Sequence, residues 1–335
     1  MEKLKTMLKV SIPDTEGLTV PLVFQQDTAH KVWVDWGDGS YPDTYSYEGL
    51  IETSHTYATI GDYTIVMHAV DEGYIILGGG WTGGNAIGGS DEAAARMLVS
   101  VMIGEDVVGI ADYAFRGCEN METFTIPENQ ELTIGKFAFE CCSSLEEIVI
   151  PKNISTISQG AFSNCSALKK AILPNGIYEI ESFAFANCAQ LKEVNLYGVS
   201  KIGKHAFAGC TMIKEVKLGE LAEKIEDGAF VRCSNIRSLT LGKVKSLGEY
   251  AFCNSKSLRE VVIPQTVETI GAGAFMGCTS LNTVKMEASE PPVLAGADAF
   301  ERNEKLKITV PYGSTRKYKN DTNWAAFADY IKEGY

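Results

Sequence analysis

The sequence predicts an all-β chain in two parts: an antiparallel β-sandwich in front, then a parallel β-solenoid of about nine repeats with helical caps. Three observations predict this. Ala-Phe pairs recur at Ala114-Phe115, Ala138-Phe139, Ala161-Phe162, Ala184-Phe185, Ala206-Phe207, Ala229-Phe230, Ala251-Phe252, Ala274-Phe275 and Ala299-Phe300, with successive phenylalanines 22 to 25 residues apart. Prolines at 127, 151, 174, 264 and 311 fall in phase with them. Residues 1–95 lack that period and instead alternate apolar and polar side chains. A fixed period in the twenties means units that cannot bury their own apolar face and must stack on their neighbours.

In the front part, Leu8-Lys-Val10-Ser-Ile12, Val20-Pro-Leu22-Val-Phe24, Lys31-Val-Trp33-Val-Asp-Trp36 and Tyr63-Thr-Ile65-Val-Met67 read as strands. Trp36-Gly37-Asp38-Gly39-Ser40 supplies a tight Asp-Gly turn after a strand. His55-Thr56-Tyr57, followed by Gly61-Asp62-Tyr63-Thr64-Ile65, repeats the same order of turn and strand. This combination resembles a PKD-type, immunoglobulin-like β-sandwich over about residues 6–77, and the resemblance implies a spacer or binding module of an extracellular protein. The expected boundary of the domain is residues 1–77.

Asp35 and Asp38 stand at a spacing two metal ligands can have, but a single DxxD lacks further acids, and Asp38 is better explained as a turn residue. Tyr41, Tyr45 and Tyr47 crowd the following loop. They are a possible loop site that would stack on a sugar or fill a partner's pocket; the plainer expectation is that they fold over their own sandwich.

Residues 78–99 read as a glycine-rich linker and a capping helix. The stretch Gly78-Gly-Gly-Trp81-Thr-Gly-Gly has no Gly-Lys-Ser/Thr, which excludes a phosphate loop. Trp81 and Ile87 are expected to pack on the first repeat. Ser90 is expected to cap a helix from Asp91 to Met97 that covers the end of the solenoid.

Residues 100–312 carry the repeats. In the unit from Phe162, Ala171 and Leu173 follow a strand period, Pro174 ends the strand, and Ile180 with Phe185 fills the core behind it. One strand per repeat gives a parallel sheet. The pattern AF-x-x-C-x-x-L-x-x-V-x-I-P resembles the BspA-like (Treponema pallidum-type) leucine-rich repeats of bacterial surface proteins. Ser255 and Asn303 depart from its cysteine position. All nine cysteines lie in the repeats, and Cys118, Cys142, Cys165, Cys188, Cys210, Cys233 and Cys278 stand three residues after the phenylalanine. Without CxxC or Cys/His spacing, they read as a ladder of small buried thiols in place of disulfides or a metal site. Cys141 and Cys253 lie off the ladder and are the ones expected to react if exposed. Residues 313–335 form the far cap, in which Trp324, Phe327 and Ile331 share one helical face. With both ends closed, the chain is expected to be a complete folding unit.

Net charge is −13, of which residues 1–95 contribute −10 and the rest −3. Such a front end argues against nucleic acid or an anionic membrane as partner. No stretch approaches 18 apolar residues, so no membrane insertion is expected. The opening Met1-Glu-Lys-Leu-Lys-Thr-Met-Leu-Lys lacks the apolar run of a signal peptide. Export then needs a leader outside this stretch or another route, such as release inside a phage particle.

His30, His55, His68 and His205 have no motif partners, and no hydrolase, metalloprotease or Cys-His signature occurs. The expectation is a non-enzymatic protein without cofactor or metal. The strand pattern turns Glu147, Val149, Lys170, Ile172, Glu193, Asn195, Glu215 and Lys217 outward, with Val149 and Ile172 on adjacent rungs as a small apolar patch. That face has no aromatic row and suits a protein partner better than a glycan. The reading is a monomeric binding protein that holds a protein partner on the solenoid sheet, and the resemblance to the BspA-like repeats implies an extracellular or cell-surface adhesion role. The alternatives are a structural or decorating protein of a virion and a glycan-binding surface protein.

Overall fold

The computed structural model describes residues 3–13, 19–26, 30–46, 48–70, 73–79, 86–87, 92–127 and 130–334. The chain divides into two compact units, the first of residues 1–154 and 158–174, the second of residues 155–157 and 175–335.

The first unit opens with strands β1 (Thr6–Ile12), β2 (Thr19–Gln26), β3 (Val32–Asp35), β4 (Asp43–Tyr45), β5 (Gly49–Thr56), β6 (Gly61–Ala69) and β7 (Ile75–Leu77). It continues through helix α1 (Glu92–Ala95), β8 (Leu98–Met102), β9 (Val107–Ile110), β10 (Thr123–Thr125), β11 (Thr133–Ile134) and β12 (Glu147–Val149). Two sheets form, in the orders β10-β8-β1-β6-β3-β4 and β11-β9-β7-β2-β5. Alternation in β1 sends Leu8, Val10 and Ile12 inward, where they are buried with Val34, Ile65 and Met67 of the same sheet and Leu22, Phe24, Ile51 and Leu77 of the other.

Within each sheet the pairing changes sense. β1 is antiparallel to both β6 and β8, and β8 is parallel to β10, with Ser100 opposite Thr123. Likewise β7 is antiparallel to β2 and parallel to β9, which is parallel to β11. The sandwich sheets therefore run without interruption into the first repeats.

This corrects the expected helical cap. α1 is only four residues long, and Trp81, Ser90 and Asp91 lie outside the described residues. A helix covers an apolar end but leaves the edge strand's N–H and C=O groups unpaired; a strand satisfies both needs at once. Ile87 is buried as expected, and Ala86 is held by hydrogen bonds to Val23 and Ala114.

The repeats stack through three ladders. The phenylalanine rings lie face to face: Phe115–Phe139 and Phe139–Phe162 at 5.5 and 5.2 Å in the first unit, and Phe185 through Phe300 at 5.1 to 5.4 Å in the second. Backbone amides tie each rung to the next, as in Phe115 N–H to the Ala138 carbonyl at 2.7 Å. The thiols supply the third. Cys142, Cys165, Cys210 and Cys233 each donate to the carbonyl of the preceding rung's phenylalanine at 3.1 Å, and Cys278 does so at 3.2 Å. A small thiol fits here because it packs as an apolar group yet satisfies one buried acceptor.

In the second unit, seven two-residue strands from Thr156–Ile157 to Val293–Leu294 make one parallel sheet. Glu260–Ile263, Thr283–Met286, Lys307–Val310 and Ile331–Glu333 make another. The far cap is again closed by a strand. After helix Thr315–Asn320 and a 3-10 helix, Thr322–Tyr330, the segment Ile331–Glu333 pairs parallel to Lys307–Val310. Trp324, Phe327 and Ile331 are all buried, and Phe327 meets the last ladder ring, Phe300, edge-on at 5.6 Å.

Candidate functional site

The outward residues lie where alternation places them: Glu147, Val149, Lys170 and Ile172 are exposed in the first unit, and Glu193, Asn195, Glu215 and Lys217 in the second. Glu147 stands opposite Lys170, and Val149 opposite Ile172, on adjacent strands. Val149 is 50% exposed, and Ile172 is exposed beside it.

The sheet brings further apolar side chains to this face. Val66, Met7, Met102 and Thr125 are successive partners across β6, β1, β8 and β10. Met7 is exposed, while Val66 and Met102 are half-buried. Strands far apart in sequence thus lay one apolar row across the sheet.

Between β10 and β12 the row meets a groove. β10 belongs to the sheet that runs back into the sandwich, whereas β12 pairs with Lys170–Ile172. No ladder joins β10 to β12 among the described residues. Phe124 stands where the following rungs carry Ile148 and Ala171, and its ring meets Phe115 and Phe139 edge-on at 5.1 and 4.7 Å. The groove encloses about 820 Å³, with Thr123, Thr125, Ser143, Ser144 and the carboxylates of Glu122, Glu146 and Glu147 on its walls and Val149 at its rim. Lys169 lies 2.5 Å from Glu146, and Lys170 3.9 Å from Glu147, so much of that acidity is compensated. The floor and rim suit a partner that brings apolar groups flanked by hydrogen-bonding ones.

The tyrosine loop divides. Tyr41 is 95% exposed, whereas Tyr45 hydrogen-bonds Thr53 at 2.7 Å and packs edge-on against Phe24 at 5.9 Å. Tyr45 therefore folds over its own sandwich, and Tyr47 lies outside the described residues. Asp35 and Asp38 act as turn acceptors, for Gly37 N–H at 2.9 Å and Ser40 N–H at 3.0 Å. Hydrogen bonds from Ser40, with further help from His55, hold the Asp38 carboxyl down at about 2. His55 bonds Asp38 at 2.7 Å and stacks on Trp36, which locks the turn to the strand behind it. Gly37 admits no side chain there, since a Cβ would collide with the Thr64 carbonyl.

The thiols are buried. Burial pushes Cys233 and Cys278 up to about 12 and raises the off-ladder Cys141 and Cys253 as well. Cys253 is buried and Cys141 half-buried, so neither presents the exposed, acidic thiol that reactivity requires.

Sequence reasoning missed an aromatic row outside the strands. The residue before Ala-Phe takes a left-handed φ in rung after rung, at Tyr113, Phe137, Gly160, Phe183, His205, Gly228, Tyr250 and Gly273. Two of these rings stack on the next rung's ring, Tyr113 on Phe137 and Phe183 on His205, both at 5.3 Å, and those of Phe137, His205 and Tyr250 lie where a Cβ on the next rung's Gly160, Gly228 or Gly273 would stand. The stacking offsets a backbone cost of roughly 1–2 kcal/mol per residue. The signal was the aromatic-or-glycine choice at that position.

Residues 94–201 and 196–307 match the BspA type leucine rich repeat region, together more than half of the chain. Among solved structures, the chain is similar to the T. pallidum leucine rich repeat protein TpLRR, with 26% identity over 55% of this chain and 78% of that one, TM-score 0.40. It is also similar to a leucine-rich repeat protein from Bacteroides ovatus, with 24% identity over 72% and 85%, TM-score 0.32. The pneumococcal vaccine antigen PcpA shares 18% identity over 72% and 80%, TM-score 0.40. No curated protein matches the chain. The periodic Ala-Phe core, the thiol ladder and the family match agree: the chain belongs to the BspA-type leucine-rich repeat family.

Proposed function

We infer that the protein is a non-catalytic binding protein of a bacterial surface that holds a protein partner on the outer sheet face of its first unit. Membership of a repeat family built for binding supports this. The observation that carries it is the apolar row that reaches the groove between β10 and β12 at Val149, with Ile172 exposed on the next strand. Exposed apolar side chains gathered by three-dimensional pairing, next to carboxylates and hydroxyls, make the mixed surface of a protein interface. The PKD-like reading of the front sheets belongs to the same proposal: those sheets both present the face and close the repeats. No helix among the described residues is long and apolar enough to cross a membrane.

The test is binding of the intact protein to immobilised extracellular-matrix proteins. Val149→Asp and Ile172→Asp should each weaken a bound partner at least about tenfold, as a charge placed in an apolar interface core does. Their melting temperatures should match the parent. Binding that survives both substitutions places the site elsewhere.

A further inference from the structure

A second surface stands out where the repeat breaks its own rule. The residue that ends the strand is Pro127, Pro151, Pro174, Pro264 and Pro311 in five rungs and Glu287 in one, but Tyr197, Gly219 and Gly242 in the three successive rungs between 174 and 264. All three lie in the second unit. Their backbones stack directly: a Cβ on Gly219 would collide with the Tyr197 carbonyl, and one on Gly242 with the Gly219 carbonyl. The result is a bare shelf over three rungs, about 10 Å long.

Tyr197 stands at the head of the shelf, 66% exposed although its ring root lies against Gly219. Asn195 fixes it there, its Oδ1 accepting from the Tyr197 N–H at 3.1 Å. The Asn195 amide also donates to Asn175 Oδ1 at 3.3 Å. Both amide N–H groups of Asn175 and the second of Asn195 have no acceptor among the described residues. At the far end Glu220 and Lys243 face each other at 2.7 Å and cancel. An exposed phenol ring, unclaimed amide donors on an exposed turn and a flat floor of compensated charge fit one chemistry. Sugar rings lay an apolar C–H face on an aromatic and present hydroxyls to amides.

We propose that Tyr197, Asn175 and Asn195, over the Gly219–Gly242 shelf, form a subsite for a neutral oligosaccharide about two sugar rings long. The site is separate in residues from the protein-binding face of the first unit and does not rest on it.

The experiment titrates intact protein by calorimetry with cellohexaose, maltohexaose, mannohexaose and chitohexaose, and with heparin as an acidic comparison. At least one neutral hexasaccharide should bind. Tyr197→Ala should weaken it about tenfold, the worth of one aromatic stacking contact. Tyr197→Pro, which restores the residue found in neighbouring rungs, should abolish binding with the melting temperature retained. Val149→Asp should leave the sugar affinity unchanged. The proposal is overturned if no neutral hexasaccharide binds, if both Tyr197 variants bind as the parent does, or if only heparin binds and Tyr197 is irrelevant to it.

Discussion

At the scale of single residues, each rung is held by a side chain that satisfies a specific buried atom. The thiol ladder shows this best, because two rungs break it, at Ser255 and Asn303. Ser255 stands where seven rungs have cysteine, and its hydroxyl is fully buried with no partner among the described residues. An oxygen bonded closer to Cβ than sulfur would be does not reach the carbonyl that the longer C–S bond reaches elsewhere. Ser255→Cys should therefore stabilise the protein by about 1 kcal/mol, by removing an unsatisfied polar atom and restoring the bond. Thermal unfolding in reducing buffer measures it; a fall in melting temperature would mean the site cannot hold sulfur. The cysteine ladder was legible from spacing alone, since seven in-phase thiols without partner motifs leave burial as the common explanation. Its hydrogen bonds were not, because the acceptor belongs to the preceding rung, about 25 residues away.

At the scale of the element, the repeat is a strand, a turn and a ring that stacks. Phe185 is fully buried and lies 5.3 Å from Phe207. Phe185→Ala should destabilise by about 3–5 kcal/mol, the range for deleting a buried aromatic. Equilibrium unfolding in urea reports it, and a change under about 1 kcal/mol would remove the ring stack as the main support of the solenoid. Inward and outward positions were readable because alternation is local: Val149 and Ile172 followed from the two-residue period of their own strands. The groove beside them was not. It lies between strands that belong to two different sheets, and no local pattern says where a ladder of like repeats breaks.

At the scale of the molecule, the front sheets and the first repeats make one compact unit. β8 has β1 on one side and β10 on the other, and β9 is held likewise between β7 and β11. Removing residues 1–95 should expose two strand edges along with the apolar side chains of the first rungs. A fragment of residues 96–335 is thus expected to aggregate or to lose amide protection in β8 to β11, as hydrogen exchange would show. A fragment as soluble and as protected as the parent would mean that the repeats close themselves.

The period of the repeats, the facing of their strands and the burial of their cysteines follow from the amino-acid order, because each depends on neighbours within one rung or on the same position repeated. Three-dimensional packing alone decided that strand pairing closes the first repeats and adds to the short helices of the far cap, that Met7 and Met102 join Val149's face, and that the ladder opens between β10 and β12. Those outcomes come from backbone groups and side chains brought together from distant parts of the chain. Their energies belong to the pairing, and no single stretch of sequence contains them.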